Sequence, residues 1–268
     1  MKHLTNTLII STYNWPEALH LVLKSLLEQS VFPDEIIIAD DGSTIATKNI
    51  IERFNEEQNS LKLIHVWHED KGFRKSEILN KAIAKAKGDY IIQVDGDCIM
   101  HHHFVKDHLS AAQDGTYLFG SRVNIQKSHL TYLFQSEKIN FNPFSKGIKK
   151  RTRAIHAPIL ASLYKSQTEF SKKYRGCNTS YFKSDFVAVN GYNEDITGWG
   201  REDSEFALRL HNNGLEAKRL RYKGIVFHIF HIEKSKDKVT RNTEIQRQTV
   251  KENIIWTKNG VDKYLEHA

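Results

Sequence analysis

The sequence predicts an α/β fold, in which helices flank a mostly parallel, Rossmann-like β-sheet. Short β-rich apolar runs alternate with helix-like segments over the first hundred residues. Strands that alternate with helices of this length form parallel βαβ units with right-handed crossovers. Three of the four candidate strands end in small polar or acidic residues. Because ligands bind beyond the carboxyl ends of parallel strands, we expect the functional site at that edge of the sheet.

The first hundred residues contain four predicted strands, namely Thr7–Ser11, Glu35–Asp40, Leu61–Trp67 and Asp89–Asp95. A helix follows the first strand, because Pro16 suits a first helical position and apolar residues recur at helical spacing from Leu19 to Leu27. A second helix carries apolar residues from Ile78 to Ala86 at the same spacing, and Gly88 ends it.

The regular alternation of strand-like and helix-like segments weakens after Met100. Pro143, Gly147 and Pro158 predict loops or short helices in the middle of the chain. A helix is predicted from Glu202 to Asn213, and a polar surface helix covers Thr240–Lys258. We therefore divide the chain into an α/β half at 1–100, a second half of the same domain at 101–235, and a C-terminal helical extension at 236–268.

Composition is that of a folded, soluble protein. Hydrophobic residues make up 40% and charged residues 26% of the 268 positions, which excludes disordered and fibrous classes. The N-terminal apolar run is too short for a secretion signal, and no stretch approaches the ~20 apolar residues of a membrane span. Cys98 and Cys177 match no zinc or disulfide spacing, so we expect a cytoplasmic protein.

Positive charge is concentrated between Arg122 and Arg175. This stretch has twelve Lys and Arg residues against Glu137 and Glu169, so the rest of the chain, whose total net charge is +7, is slightly acidic. A solvated face that aids solubility explains the stretch as well as a surface for anionic partners does. One such partner is an anionic membrane, which would place the protein peripherally at its inner face.

Carboxylates follow two predicted strands. Asp95-Gly96-Asp97 ends one strand, and aspartate pairs of this kind share Mg²⁺ or Mn²⁺ with substrate phosphates. Asp40-Asp41-Gly42-Ser43 ends another, where a carboxylate accepts hydrogen bonds from a nucleoside. Each pattern taken alone is also typical of a simple turn.

Three further segments carry chemistry. The segment 71–75, Lys-Gly-Phe-Arg-Lys, opens a helix, where amides and cations suit a diphosphate. His228 and His231 follow an apolar run, and imidazole is a competent Mn²⁺ ligand. The string 198–203, Gly-Trp-Gly-Arg-Glu-Asp, combines a Trp platform for a sugar ring with two carboxylates at a helix start. The alternative for that string is a capping box beside a core Trp, but the combination of residues favours the functional interpretation.

Taken in order, these motifs resemble the inverting family 2 glycosyltransferases of the GT-A fold. The C-terminal portion is similar to the galactosyltransferase and N-acetylgalactosaminyltransferase group. The resemblance runs from Thr7 to about His231 and includes Ser-Thr-Tyr-Asn, Asp-Asp-Gly-Ser, Gly-Phe-Arg-Lys, Asp-Gly-Asp, Gly-Trp-Gly-Arg-Glu-Asp and His-Ile-Phe-His. After Gly-Phe-Arg the family often continues with small residues and Ala-Arg-Asn, whereas this chain continues from Lys75 to Asn80 as Lys-Ser-Glu-Ile-Leu-Asn.

The resemblance implies a UDP-sugar donor bound by residues 1–100 and a glycan or lipid-linked saccharide acceptor bound by residues 101–235. Thr12, Tyr13 and Asn14 would line the uridine pocket, Asp41 would contact the nucleoside, and Arg74 would lie near the diphosphate.

For the reaction centre, the resemblance implies that Asp95 touches the ribose or sugar while Asp97 ligates Mn²⁺ or Mg²⁺. His228 would be the later metal ligand and His231 its alternate. Trp199 would pack against both sugars, Asp203 would be the catalytic base, and Glu202 would bind sugar hydroxyls; the roles of these two carboxylates could be reversed.

Three other functions fit the sequence less well. A sugar-nucleotide nucleotidyltransferase usually has a glycine-rich basic loop after the first strand, where this chain has Thr12-Tyr13-Asn14-Trp15-Pro16. A nucleic-acid-binding protein could use the basic stretch, but that stretch has no recognisable binding motif, and we expect no nucleic-acid partner. A catalytically silent sugar-binding relative would not need both the Asp-x-Asp and Glu-Asp pairs.

Overall fold

The computed structural model describes residues 3–58, 61–232 and 235–265. Its strands are β1 (Asn6–Thr12), β2 (Glu35–Asp40), β3 (Leu63–Trp67), β4 (Tyr90–Asp95), β5 (Cys98–Met100), β6 (Thr116–Gly120), β7 (Arg122–Ile125), β8 (Ile148–Lys149), β9 (Asn178–Phe182), β10 (Glu216–Leu220) and β11 (Val226–His228). Its helices are α1 (Pro16–Leu27), α2 (Ile45–Glu57), α3 (Lys75–Lys85), α4 (Phe104–Leu109), α5 (Leu130–Ser136), α6 (Pro158–Ala161), α7 (Lys183–Ala188), α8 (Glu202–Asn212) and α9 (Val239–Lys251).

A seven-stranded sheet with the order β10-β6-β9-β4-β1-β2-β3 forms the centre of the molecule. The four strands predicted from the sequence are neighbours in it and all run parallel. Strand β9 is the exception to the parallel arrangement, because it pairs antiparallel with both β4 and β6. The predicted α/β fold with a mostly parallel sheet is therefore confirmed.

Apolar side chains cover both faces of this sheet. Leu8 and Ile10 of β1 point into a core that includes α1, α2 and α4, whereas Ile9 points into the opposite core with α3 and α8. This alternation follows from the two-residue period of a strand. Because the faces are filled with apolar side chains, the polar residues at the strand ends remain available at the edge.

A second, four-stranded sheet with the order β5-β11-β7-β8 lies over a third apolar cluster. Its pairing places β11 antiparallel to β5, so that His228 is opposite Cys98. The amide of Ile229 also donates to the carbonyl of Asp97 at 2.9 Å. This small sheet therefore carries the His228–His231 segment to the end of the Asp-x-Asp loop.

The C-terminal helix differs from its prediction in length and in role. It spans Val239–Lys251, and Asn253 then adopts a left-handed backbone with φ of 48°, which stops the helix short of Lys258. Its polar residues do not all face solvent, because Asn242 and Thr249 are buried. Within the described parts of the chain, no helix combines the length and apolar character needed to cross a bilayer.

Candidate active site

One large cavity opens at the carboxyl ends of β1, β2 and β4. Its volume is about 1330 Å³, and the second sheet, the loop before α8 and α9 close its other sides. All the predicted site residues except Arg74 line it, namely Thr12, Tyr13, Asn14, Asp41, Asp95, Asp97, Trp199, Glu202, Asp203, His228 and His231. Tertiary structure therefore brings together motifs that lie more than two hundred residues apart.

The loops after β1 and β2 are bonded to each other. The amide of Asn14 donates to Ser43 Oγ, and the amide of Thr44 donates to Asn14 Oδ1, both at 2.8 Å. Asn14 has a left-handed backbone with φ of 47°, a conformation that asparagine tolerates better than most residues. These bonds give the cavity a rigid wall between Tyr13 and Asp41.

The carboxylate of Asp41 is buried, and each of its two oxygens has a hydrogen-bond partner. Its Oδ1 lies 2.8 Å from His68 Nε2, and its Oδ2 accepts a hydrogen bond from the amide of Arg74 at 3.0 Å. Gly42 turns the chain beside it with φ of 91°, and a Cβ at that position would meet the backbone of Asp70 at 2.6 Å. The carboxylate position is therefore set by the structure before any ligand binds.

The two aspartates of the Asp-x-Asp loop have different surroundings. Lys75 Nζ lies 2.6 Å from Oδ1 of Asp95, which also accepts from Ser11 Oγ at 2.7 Å. Burial opposes the charge of Asp95, but Lys75 and these hydrogen bonds keep the pKa of its carboxyl below the usual value. Asp95 is thus neutralised by the protein itself.

Asp97 instead faces two histidines. Its Oδ2 lies 3.6 Å from His228 Nε2 and 3.3 Å from His231 Nε2. Burial lowers the pKa of His228, so its neutral ring has a lone pair for a metal. The ligand atoms of all three residues lie within 4.8 Å of one another. One carboxylate and two imidazoles on the cavity wall are a donor set for a divalent metal ion, and phosphate oxygens of a ligand in the cavity would add the oxygen ligands that Mn²⁺ prefers.

Arg74 does not line the cavity, and its neighbour Lys75 does. The guanidinium of Arg74 is bonded to Glu77 Oε2 at 2.9 Å and to the carbonyl of Glu69. A helix turns by about 100° per residue, so adjacent residues at a helix start point in different directions. Lys75 rather than Arg74 therefore provides the cation on the cavity wall, and the position of Arg74 near a diphosphate stays a prediction.

The Gly-Trp-Gly loop before α8 has an unusual backbone. Gly198, Gly200 and Arg201 all have positive φ, at 74°, 100° and 81°. Asn242 of α9 donates to the carbonyl oxygens of Thr197 at 3.0 Å and Gly200 at 2.9 Å. The loop is therefore held from the C-terminal helix, and it presents Trp199 to the cavity.

Helix α8 begins with the two acidic residues of the candidate catalytic pair. Asp203 accepts hydrogen bonds from the amides of Gly176 at 3.0 Å and Ser204 at 2.6 Å, which fix the position of its carboxylate. Glu202 accepts one from the amide of Gly200 at 3.1 Å. Burial and the charge of Asp203 raise the pKa of Glu202 to about 7, although Lys75 opposes this. Glu202 therefore holds a proton more tightly than an ordinary glutamate does.

An ion pair below this site was not anticipated from the sequence. Arg209 is fully buried and bonds Glu205 through two nitrogens, at 2.8 and 3.0 Å. Thr249 of α9 donates to the same carboxylate at 3.0 Å, and Arg209 donates to the carbonyl of Gly191 at 2.6 Å. The pair joins α8 to α9. Its signal was the four-residue spacing of Glu and Arg, but such pairs usually lie on solvated helix faces.

Comparisons with known families agree with this geometry. Residues 7–168 match the model described as "Glycosyl transferase family 2", and residues 159–232 match the one described as "N-terminal domain of galactosyltransferase". The first match alone covers more than half of the chain. This chain belongs to glycosyl transferase family 2. The resemblance inferred from the motifs is thereby confirmed.

Individual relatives of this family 2 chain include the chondroitin synthase of Escherichia coli, which is 29% identical over 225 residues. That alignment covers 78% of this chain and 32% of the synthase, so the chain spans about a third of that relative's length.

Two solved structures share the GT-A fold. S. aureus TarS 1-349 in complex with UDP is 18% identical, with a TM-score of 0.61 over 97% of this chain and 68% of TarS. The mannosyltransferase PcManGT from Pyrobaculum calidifontis, in complex with GDP-Man and Mn2+, is also 18% identical, with a TM-score of 0.59 over 91% of this chain and 61% of PcManGT.

Proposed function

We propose that the chain is an inverting, metal-dependent glycosyltransferase that acts in surface polysaccharide or lipopolysaccharide synthesis. It would move a hexose or N-acetylhexosamine from a UDP-sugar to a hydroxyl of a glycan or lipid-linked saccharide. The observation that carries this proposal is one cavity lined both by the Asp97–His228–His231 cluster and by the separate pair Glu202–Asp203. UDP in TarS and the synthase activity named for the chondroitin relative support it.

The donor would occupy the part of the cavity nearest β1 and β2. Thr12, Tyr13 and Asn14 would line the uridine, and Asp41 would contact the nucleoside while His68 and the Arg74 amide hold its carboxylate. Asp95 would touch the ribose or sugar. Mn²⁺ or Mg²⁺ would be held by Asp97 with His228 or His231, where it would act as a Lewis acid on the leaving UDP.

The carboxylate pair would act on the acceptor, with Trp199 packed against the sugars. We assign Asp203 as the base, because two backbone amides hold its carboxylate in place at the cavity wall, where it can accept the proton of an acceptor hydroxyl. The acceptor hydroxyl would lose its proton to Asp203 as its oxygen bonds to the anomeric carbon and the bond to UDP breaks, with inversion. Glu202, whose pKa is raised, would exchange hydrogen bonds with sugar hydroxyls.

An exposed surface beside the cavity suits an acceptor attached to an anionic membrane. Ile159 and Leu163 are 86% and 74% exposed, and they follow Lys150, Arg151 and Arg153. We name these five residues the apolar–basic surface. Apolar side chains next to cations are typical of proteins that bind at membrane interfaces.

Cations connect the apolar–basic surface to the cavity. Burial and the charges of Arg221 and Arg122 lower the pKa of Arg153, which indicates an uncompensated cationic group. Arg122 and Arg175 line the cavity, and in the described residues neither makes an ion pair with an acidic side chain. A phosphate on a lipid-linked acceptor would offset this charge.

Calorimetric titration with UDP, with and without Mn²⁺, tests the donor site. We expect metal-dependent binding in the native sequence and in Asp114→Ala, which removes an exposed carboxylate outside the cavity, but not in Asp97→Ala. Equal binding with and without metal would contradict the metal site. If neither the native sequence nor either variant binds UDP, and the native protein binds nucleic acid in a salt-sensitive way, the alternative of a nucleic-acid-binding protein is favoured instead.

A further inference from the structure

A group of histidines lies outside the catalytic cavity, where the chain passes from β5 into α4. The rings of His101 and His156 stack with centroids 4.7 Å apart and planes at 23°, and the ring of His103 lies 5.0 Å from that of His156. None of the three lines the cavity. The proposed reaction therefore leaves this group without a role.

A buried carboxylate completes the group. Asp107 of α4 is only 3% exposed, and His156 Nε2 lies 3.0 Å from its Oδ2 and 3.2 Å from its Oδ1. The amide of Gly224 also donates to Oδ2 at 2.9 Å, which fixes the carboxylate. One ring nitrogen of His101, one of His156 and one carboxylate oxygen of Asp107 lie within 4.8 Å of one another.

These three side chains match the ligand preferences of a borderline metal ion. Two imidazoles and one carboxylate are frequent zinc ligands, whereas Mg²⁺ and Ca²⁺ prefer oxygen alone. Ligand atoms around tetrahedral zinc lie about 3.3 Å apart, given zinc–nitrogen distances of about 2.0–2.1 Å. The His156–Asp107 separation already matches this value. To reach the same point, the ring of His101 must rotate out of its stack on His156, and its Nδ1 must lose the 3.2 Å hydrogen bond from the His103 amide if it becomes the ligand.

We propose that His101, Asp107 and His156 form a second metal site that binds Zn²⁺. The site joins three parts of the chain, namely the end of β5, helix α4 and the segment that leads into α6. His156 stands two residues before α6, and the amide of Ala157 donates to the carbonyl of Tyr222 at 3.0 Å. Bound zinc would therefore tie the basic segment 149–165 to the body of the protein.

Zinc counts on untagged, chelator-treated protein test this site. Asp97→Ala serves as the parent, because it removes the carboxylate of the catalytic cluster. We expect about one bound Zn²⁺ per parent chain after gel filtration, unchanged when His102→Ala is added. Adding His101→Ala or His156→Gln should remove it, with folding checked by circular dichroism. Retained zinc in both ligand variants, or equal loss in the His102→Ala control, would overturn the proposal.

Limited trypsin digestion of the Asp97→Ala parent gives a second measurement, which needs no substitution of the three proposed ligands. Segment 149–165 contains Lys149, Lys150, Arg151, Arg153 and Lys165. Micromolar Zn²⁺ should slow cleavage there, and Mn²⁺ at the same concentration should not. Cleavage at the same rate with and without zinc would overturn the proposed site.

Discussion

Lys75 Nζ lies 2.6 Å from Oδ1 of Asp95, and this contact separates the roles of the two aspartates in the Asp-x-Asp loop. Burial would lower the pKa of Lys75, but Asp95 and Glu202 raise it above its usual value, so the ammonium stays charged. Asp95 already has its counter-charge, whereas Oδ2 of Asp97 lies beside the imidazoles of His228 and His231. The metal is therefore expected on Asp97.

Separate substitutions of Lys75 and Arg74 test which of the two cations contributes to donor binding. Lys75→Met should weaken Mn²⁺-dependent UDP binding by about tenfold or more, because it removes a charge-assisted contact and leaves Asp95 unpaired. Arg74→Gln should change binding by less than about twofold, since its guanidinium is bonded to Glu77 and Glu69. Calorimetry measures both, and the reverse order of effects would restore the assignment to Arg74.

Substitution of the acidic pair separates base from binding residue. Asp203→Asn should lower kcat by on the order of 100- to 10,000-fold, because the acceptor proton loses its base. Glu202→Gln should mainly raise the KM for a sugar substrate. Steady-state kinetics with both variants measures the difference. A larger fall in kcat for Glu202→Gln would show that the two roles are reversed.

The raised pKa of Glu202 predicts a pH-dependent stability difference. Its folded-state pKa of about 7 exceeds its ordinary value, so its contribution to stability is present below that ordinary value and is lost as pH rises through about 7. Glu202→Gln cannot ionise. At pH 8 its free energy of unfolding should exceed that of the native sequence by on the order of 2 kcal/mol, whereas at about pH 4 the two values should be equal. Chemical denaturation at both pH values measures this difference. A difference that does not change with pH would contradict this origin.

The buried Glu205–Arg209 pair predicts a strong effect from removal of one partner. Arg209→Leu should destabilise the protein by about 3–5 kcal/mol, because it leaves the Glu205 carboxylate buried without a counter-charge. The double variant Glu205→Met/Arg209→Leu should recover much of this loss. Chemical unfolding of both variants provides the measurement, and equal stability of the single and double variants would argue against an electrostatic cause.

The apolar–basic surface predicts binding to anionic vesicles. Ile159→Glu/Leu163→Glu should reduce co-sedimentation with phosphatidylglycerol vesicles at low salt, because it removes apolar contacts and adds repulsion. Ile45→Glu is the matched control, since Ile45 is 64% exposed at the start of α2. Membrane binding through this surface would be contradicted if the native protein does not sediment with these vesicles, or if the control loses binding equally.

Local sequence patterns predicted most of the first half of the fold, although not helix α2. The apolar runs predicted β1–β4 to within two residues and placed α1 and α3, because the parallel strands are buried and their helices amphipathic. They did not predict β9, which inserts antiparallel between β4 and β6. Its sequence, Asn-Thr-Ser-Tyr-Phe, is polar for a buried strand, and its partners lie far away along the chain.

The sequence by itself determined the family, the strand-end carboxylates and the residue types available for chemistry, since each depends on short motifs and local periodicity. Only the tertiary structure decided which of these groups have partners. It pairs Asp95 with Lys75 and places His228 and His231 beside Asp97. It also leaves Arg74 outside the lining of the cavity. The physical reason is that charge pairing and burial depend on side-chain directions and on distances across the sheet, which no spacing along the chain encodes.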